Sequence, residues 1–417
     1  MRTFKLLFSF FSLILLFSCS SPENETIPTP EKPCREINKF NSTSYLNRTY
    51  YNRSFKNYLE NGDALDAVVL DYNMDGFLDF IHTDSNYGES FNGVGVRNYI
   101  KFFRGDCNGE LTLDEELSDE FNGLIHGRKG LVGDYNNDNY PDIFFVGHGI
   151  DADDFPGEYP ILLLNKGGSG FIENRFENLI GFFHTATSGD YDNDGDQDIV
   201  LISQGVTYIL INDGFGSFTI IKDDINYDTR SIVEFPRVSI VPSMRQIYTS
   251  ELFDINSDGF LDLIVSGHDY PDQYSGESAV LYGNGESFLS GYKTLPSPEG
   301  FGIGIDIDFY DINSDGNYEI ILNRTGDPVN GLGFYTGWKV QILELVDNNY
   351  IDSTEKFIDV SSGIDSSWMY WIHIYDYDND GIVELFNDDL KTESESSIRP
   401  YKVWDLIDGK FILQTYY

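Results

Sequence analysis

The chain has 417 residues, of which 69 are Asp or Glu and 27 are Lys or Arg, a formal charge of −42; so few cations exclude a surface built to hold nucleic-acid phosphates. With 41% hydrophobic and 15% aromatic residues there is material for a large core, and the acidity does not signal disorder. The 40 Gly, 28 Tyr and 32 Phe beside only 4 Met favour strands and tight turns over helices, because aromatic side chains suit a pleated surface and Gly supplies positive-φ turns.

The first segment reads as an address. Arg2 and Lys5 precede an apolar run from Leu6 to Phe17, too short to span a bilayer and suited to the core of a signal peptide. It ends in Leu16-Phe17-Ser18-Cys19, which resembles the lipobox of bacterial lipoproteins, with Phe where a small residue is more usual. The resemblance implies removal of residues 1–18, lipidation of the Cys19 thiol, and an exported protein of the bacterial envelope, tethered to the outer membrane or cell surface. The alternative is an ordinary secretory signal. Residues 19–39, Pro-rich from Ser20 to Pro33, read as a flexible tether, and 40–417 as the folded domain. Cys34 and Cys107 are either a disulfide, which an exported compartment permits, or two free thiols.

From Asp71 onward one nine-residue acidic pattern returns six times. Positions 1, 3, 5 and 9 carry a side-chain oxygen in every copy: Asp71, Asn73, Asp75 and Asp79; Asp134, Asn136, Asp138 and Asp142; Asp190, Asp192, Asp194 and Asp198; Asp254, Asn256, Asp258 and Asp262; Asp311, Asn313, Asp315 and Glu319; Asp376, Asp378, Asp380 and Glu384. Position 6 is Gly in five copies and Asn139 in the second, the residue that best tolerates the left-handed region after Gly. Such spacing suits Ca²⁺, which takes six to eight oxygens; a backbone carbonyl at position 7, from Phe77, Tyr140, Asp196, Phe260, Asn317 or Ile382, is the expected further ligand. No Cys or His lies in the loops, which disfavours softer metals. An EF-hand would need an acidic residue at position 12, where this chain has His82, Phe145, Leu201, Val265, Leu322 and Asn387. Ordinary surface turns would account for Asp, Asn and Gly, but not for a carboxylate at the ninth position of every copy. Up to six Ca²⁺ are expected. At about millimolar calcium, extracellular-type sites would together contribute roughly 3 to 8 kcal/mol, a structural role first.

Short β-like runs follow each loop, as Ile143 to Val146 and Ile199 to Ile202 do, so each loop joins two strands of a hairpin. The loops recur at intervals of 56 to 65 residues, long and short alternating, enough chain for a four-stranded sheet per repeat. Such sheets bury both faces only by stacking round an axis, which predicts an all-β fold, a β-propeller with six four-stranded blades. The loop pattern at this period is similar to the FG-GAP/VCBS repeat family, found in integrin α-subunit propellers and bacterial surface proteins. The resemblance covers about Phe40 to Tyr417 and implies side-chain coordination of calcium at positions 1, 3, 5 and 9. Asn139, Glu319 and Glu384 depart from its pattern, and weaker binding is expected at those three loops. Residues Phe40 to Gly62 are expected to close the ring as an outer strand; a loopless seventh blade is the alternative.

The connections between second and third strands leave from the end of the propeller opposite the metal loops and are long, as in Gly147 to Tyr159 and Gly267 to Ser278. This face is the expected recognition surface, for a glycan or a cell-surface protein. Candidate ligand-binding residues are His148, Tyr159, His268, Tyr270 and Tyr274, since Gly147-His148 and Gly267-His268 stand at equal distances beyond their loops. Three readings follow. The first is binding without catalysis. The second is a polysaccharide lyase for acidic glycans, using His148 or His268, with Arg230, Arg237 or Arg324 neutralising a uronate. The third is a structural surface subunit. Trp368, Tyr370 and Trp371 either stack on sugars or pack between blades.

Overall fold

The computed structural model describes residues 66–83, 93, 95–106, 111–152, 155–203, 206–223, 247–270, 277–288, 290–329, 332–369, 371–376, 381–387 and 402–414. All of them belong to one compact unit within Arg35–Tyr417. The expected signal segment, Cys19, both other cysteines and the expected Phe40–Gly62 strand lie outside the described residues.

The domain is a six-bladed β-propeller with four-stranded antiparallel blades. In chain order the blades are Val68–Leu70, Asp79–His82, Lys101–Gly105 and Leu111–Leu113; Gly127–Gly133, Asp142–Gly147, Ile161–Asn165 and Phe171–Arg175; Phe183–Gly189, Asp198–Ser203, Val206–Asn212 and Phe218–Asp223. The last three are Ile247–Phe253, Asp262–Gly267, Ala279–Tyr282 and Gly291–Thr294; Ile303–Tyr310, Glu319–Thr325, Thr336–Val346 and Asn349–Asp352; Ile372–Tyr375, Glu384–Asn387, Val403–Ile407 and Lys410–Leu413. In the fifth blade a further strand, Ser362–Ser367, pairs with Thr336–Val346 beyond the end of its fourth strand. Among the described residues the only helices are two single turns, Glu115–Ser118 and Thr354–Phe357.

The apolar runs after each loop are continuous because both faces of every blade are covered. Along the second strand of the third blade, Ile199 and Leu201 pack toward the second blade, and Val200 and Ile202 toward the fourth. Among the described residues the same division gives successive blades, from the first to the sixth, a shared core, as with Phe145 against Ile81 and Phe102, or Ile321 against Leu385 and Trp404. The first strands of successive blades lie side by side around the axis, from the first blade to the sixth. Polar side chains occupy this inner layer: Lys129 and Glu251 form a buried ion pair at 2.7 Å, and Thr187 donates to the second Glu251 oxygen at 3.3 Å.

Candidate functional site

Each described loop winds round its own first residue. In the first, the Asp75 amide donates to Asp71 Oδ1 at 3.0 Å and the Gly76 amide to Asp71 Oδ2 at 2.8 Å, while the Asp75 and Phe77 amides reach Asn73 Oδ1 and Asp75 Oδ1 at 2.9 Å. Equivalent bonds recur at Asp134, Asp190, Asp254 and Asp311. In the sixth loop Asp376 accepts from Gly381 at 3.0 Å, and Asp378 and Asp380 lie outside the described residues. The winding needs the left-handed region twice: at position 6, where φ is 93° at Gly76 and 67° at Asn139, and at position 4, where Met74, Asn137, Asn193, Ser257 and Ser314 take φ of 58° to 60°. The second requirement was invisible in the sequence, because no Gly marks position 4.

Position 9 has two duties. Asp79, Asp142, Asp198 and Asp262 are fully buried. One oxygen of each accepts the position-2 amide of its own loop, as Tyr191 to Asp198 at 2.9 Å; the other accepts an amide at the end of the third strand, from Gly105, Asn165, Asn212 or Gly283. Glu319 keeps the first bond, from Ile312 at 2.8 Å. Gly105 is required where it stands, since a Cβ there would lie 1.9 Å from the Leu78 carbonyl. Burial, reinforced by the carboxylates at positions 1 and 5, pushes Asp79 up to about 8 and Asp262 and Glu319 to about 7.

The donor set fits calcium. The Asp190, Asp192 and Asp194 oxygens converge within 4.8 Å, and Asp192 Oδ1 is buried with no hydrogen-bond partner. A divalent cation would supply the fixed positive charge that such mutually repelling carboxylates lack.

The loops also fasten neighbouring blades. The Asn165 amide nitrogen donates to the Tyr72 carbonyl and that of Asn212 to the Tyr135 carbonyl, each at 2.8 Å. The rings of Tyr72, Tyr135 and Tyr191 pack on Phe171, Phe218 and Phe288 of the next blade, with centroids 5.8, 6.0 and 4.9 Å apart. The sequence carries a trace of this, an Asn followed by a Gly-rich turn and Phe in Asn165–Phe171, Asn212–Phe218 and Asn284–Phe288.

At the opposite end, imidazole and aromatic rings form a continuous belt. His126 meets His148 at 3.9 Å between centroids, His148 meets His184 at 4.9 Å, His184 meets Tyr248 at 4.6 Å, and Tyr248 meets His268 at 4.6 Å. His268 continues to Tyr270 and Phe334, and Phe334 through Tyr335 to Trp368. The belt thus draws on the second, third, fourth and fifth blades and the segment entering the sixth. His148 and His268 are both in it, but His184 and Tyr248 stand between them, so they do not act as one acid–base pair. Burial and the nearby Arg128 charge hold His148 and His184 well below the usual imidazole range, and burial lowers His268 to about 4, so these rings are neutral. The Tyr270 hydroxyl bonds His268 Nδ1 at 2.9 Å.

Other expected residues lie elsewhere. Tyr159 sits under Arg97 and Arg175, at 4.9 and 5.6 Å, apart from the belt. Arg324 is fully buried and ion-paired to Asp269 at 2.7 Å, with Nε on Gln341, so the expectation that it neutralises a uronate is corrected. Tyr274, Arg230, Arg237 and Tyr370 lie outside the described residues. Sequence reasoning missed His126, His184 and Tyr248, which stand at the starts of first strands, as well as Arg128.

Residues 190–265 match the FG-GAP-like repeat family, a stretch running from the third loop through the fourth. No curated protein sequence matches the chain. Among solved structures it is similar to an Agrocybe aegerita lectin described as recognising non-reducing terminal N-acetylglucosamine, at 15% identity over 68% of this chain and 64% of the lectin, with a TM-score of 0.41. It is also similar to rhamnogalacturonan lyase YesW, at 12% over 84% and 57% with a TM-score of 0.40, and to Bacillus licheniformis rhamnogalacturonan lyase PL11, at 14% over 85% and 64% with a TM-score of 0.40. The chain spans less than two thirds of the length of each of the three.

Proposed function

We propose that the protein is a calcium-stabilised propeller, exported and lipid-anchored through Cys19, that binds a glycan at the end of the axis opposite its metal loops. The observation that carries this reading is the unbroken belt of rings from four blades. A packed core needs no such arrangement of imidazoles, whereas a sugar offers apolar ring faces for stacking and hydroxyls for N–H and O–H partners. Two belt neighbours are open to solvent, Phe155 at 48% and Phe334 at 46% exposure, and they stand against Phe182 and His268. The calcium loops hold the scaffold, and their carboxylates keep anionic partners away from that end.

A glycan array probed with the full chain at millimolar calcium tests the reading. Binding is expected, weakened about fivefold or more by Tyr248→Ala and by Phe334→Ala, since stacking contacts contribute about 1 kcal/mol or more each. Phe215→Ala, at an 80% exposed ring on the metal-loop end, should leave it unchanged. Absence of any glycan ligand, or equal damage from Phe215→Ala, would sink the proposal.

A further inference from the structure

We propose that Arg128 is the anion-binding centre at this end of the propeller and takes the carboxylate of a uronic acid residue, which makes the ligand an acidic glycan. The inference rests on the proposed glycan reading and narrows it.

Of the five described arginines, Arg97, Arg104, Arg175 and Arg324 are ion-paired, to Glu158, Asp114, Glu173 and Asp269. Arg128 has no ion pair among the described residues, and its Nε is buried with no hydrogen-bond partner. In a chain of net charge −42 an unpaired guanidinium is an exception that demands a cause. An unmet buried donor is destabilising, and a bound carboxylate would satisfy it. Its position is central: its charge acts on His126, His148 and Asp151 of the second blade, His184 of the third, Tyr248 of the fourth and Tyr335 of the fifth. Asp151 feels that charge without closing an ion pair. His148 Nδ1 and His268 Nε2 are likewise buried without partners.

The chemistry of the surroundings selects the anion. A planar guanidinium matches a carboxylate with two parallel N–H···O bonds. Neutral imidazoles around it can each give one N–H without adding charge. The exposed faces of Phe155 and Phe334 suit a pyranose ring better than a bare inorganic ion. The nearest competing reading is a transition-metal site on His126, His148 and Asp151, whose donor atoms lie within 4.8 Å of one another. The Arg128 charge opposes a cation there and favours an anion.

Calorimetric titration of the full chain at millimolar calcium, with tetramers of galacturonate, glucuronate and mannuronate and with their carboxyl-reduced counterparts, decides the matter. At least one acid form should bind about tenfold or more tighter than its neutral counterpart, the scale of one charge-assisted bidentate contact. Arg128→Gln should remove that preference and Arg128→Lys restore part of it, with melting temperatures no lower than wild type because no native ion pair is lost. Equal affinity for acid and neutral forms in the wild type overturns the inference even if the variants fail to fold, and so does unchanged acid binding by Arg128→Gln. Neutral binding that depends on Tyr248 but ignores the carboxylate would leave the glycan reading standing and remove this one; no binding of any sugar removes both. Zinc-dependent stabilisation lost in His148→Ala, without uronate binding, reassigns the cluster to a metal.

Discussion

At Asp198 one carboxylate serves as a candidate metal ligand and as acceptor for two buried amides, Tyr191 and Asn212. Asp198→Ala leaves both donors unmet and is expected to cost about 2 to 5 kcal/mol in urea unfolding at saturating calcium. The candidate ligand duty rests on the nine-residue spacing. The scaffold duty is not legible there, because its distant donors lie 26, 23, 14 and 21 residues beyond position 9 in the first four blades, a separation too variable to form a pattern. His268 gives a second test at this scale. Its folded pKa of about 4 lies below the ordinary imidazole value near 6.5, so on acidification the unfolded chain takes the proton first. Its contribution is therefore intact above pH 6.5 and declines as pH falls toward 4, by about 3 kcal/mol. His268→Gln should flatten that part of the stability profile measured at saturating calcium and change little at pH 8.

Among elements, the first strands of the second and fourth blades are joined by Lys129 and Glu251, 122 residues apart in the chain. Lys129→Met alone strands a buried carboxylate and should cost about 3 to 5 kcal/mol, and Glu251→Leu a similar amount. The double variant should recover most of the loss, an interaction energy that a double-mutant cycle in urea measures directly; additive losses would contradict the pairing. Strand existence and order were readable from the apolar runs, since blades covered on both faces leave no polar alternation to interpret. The belt was half readable. The paired Gly-His sequences exposed His148 and His268, but His126, His184 and Tyr248 come from strand starts that only the side-by-side stacking of the second, third and fourth blades brings together.

For the whole molecule, the repeat interval and the number of loops were enough to anticipate six four-stranded blades, and the structure has them. Chelation by EGTA should lower the melting temperature by roughly 4 to 10 °C, the shift expected when 3 to 8 kcal/mol is withdrawn from a domain of this size. An unmoved transition would mean the acidic loops hold themselves without cations. The fastening of loops to blades has a direction: Tyr72, Tyr135 and Tyr191 each grip the repeat that follows them, through Phe171, Phe218 and Phe288. A nascent polypeptide is made amino end first, so each repeat can be latched as soon as its successor emerges, and assembly can advance stepwise during synthesis instead of waiting for the circle to close.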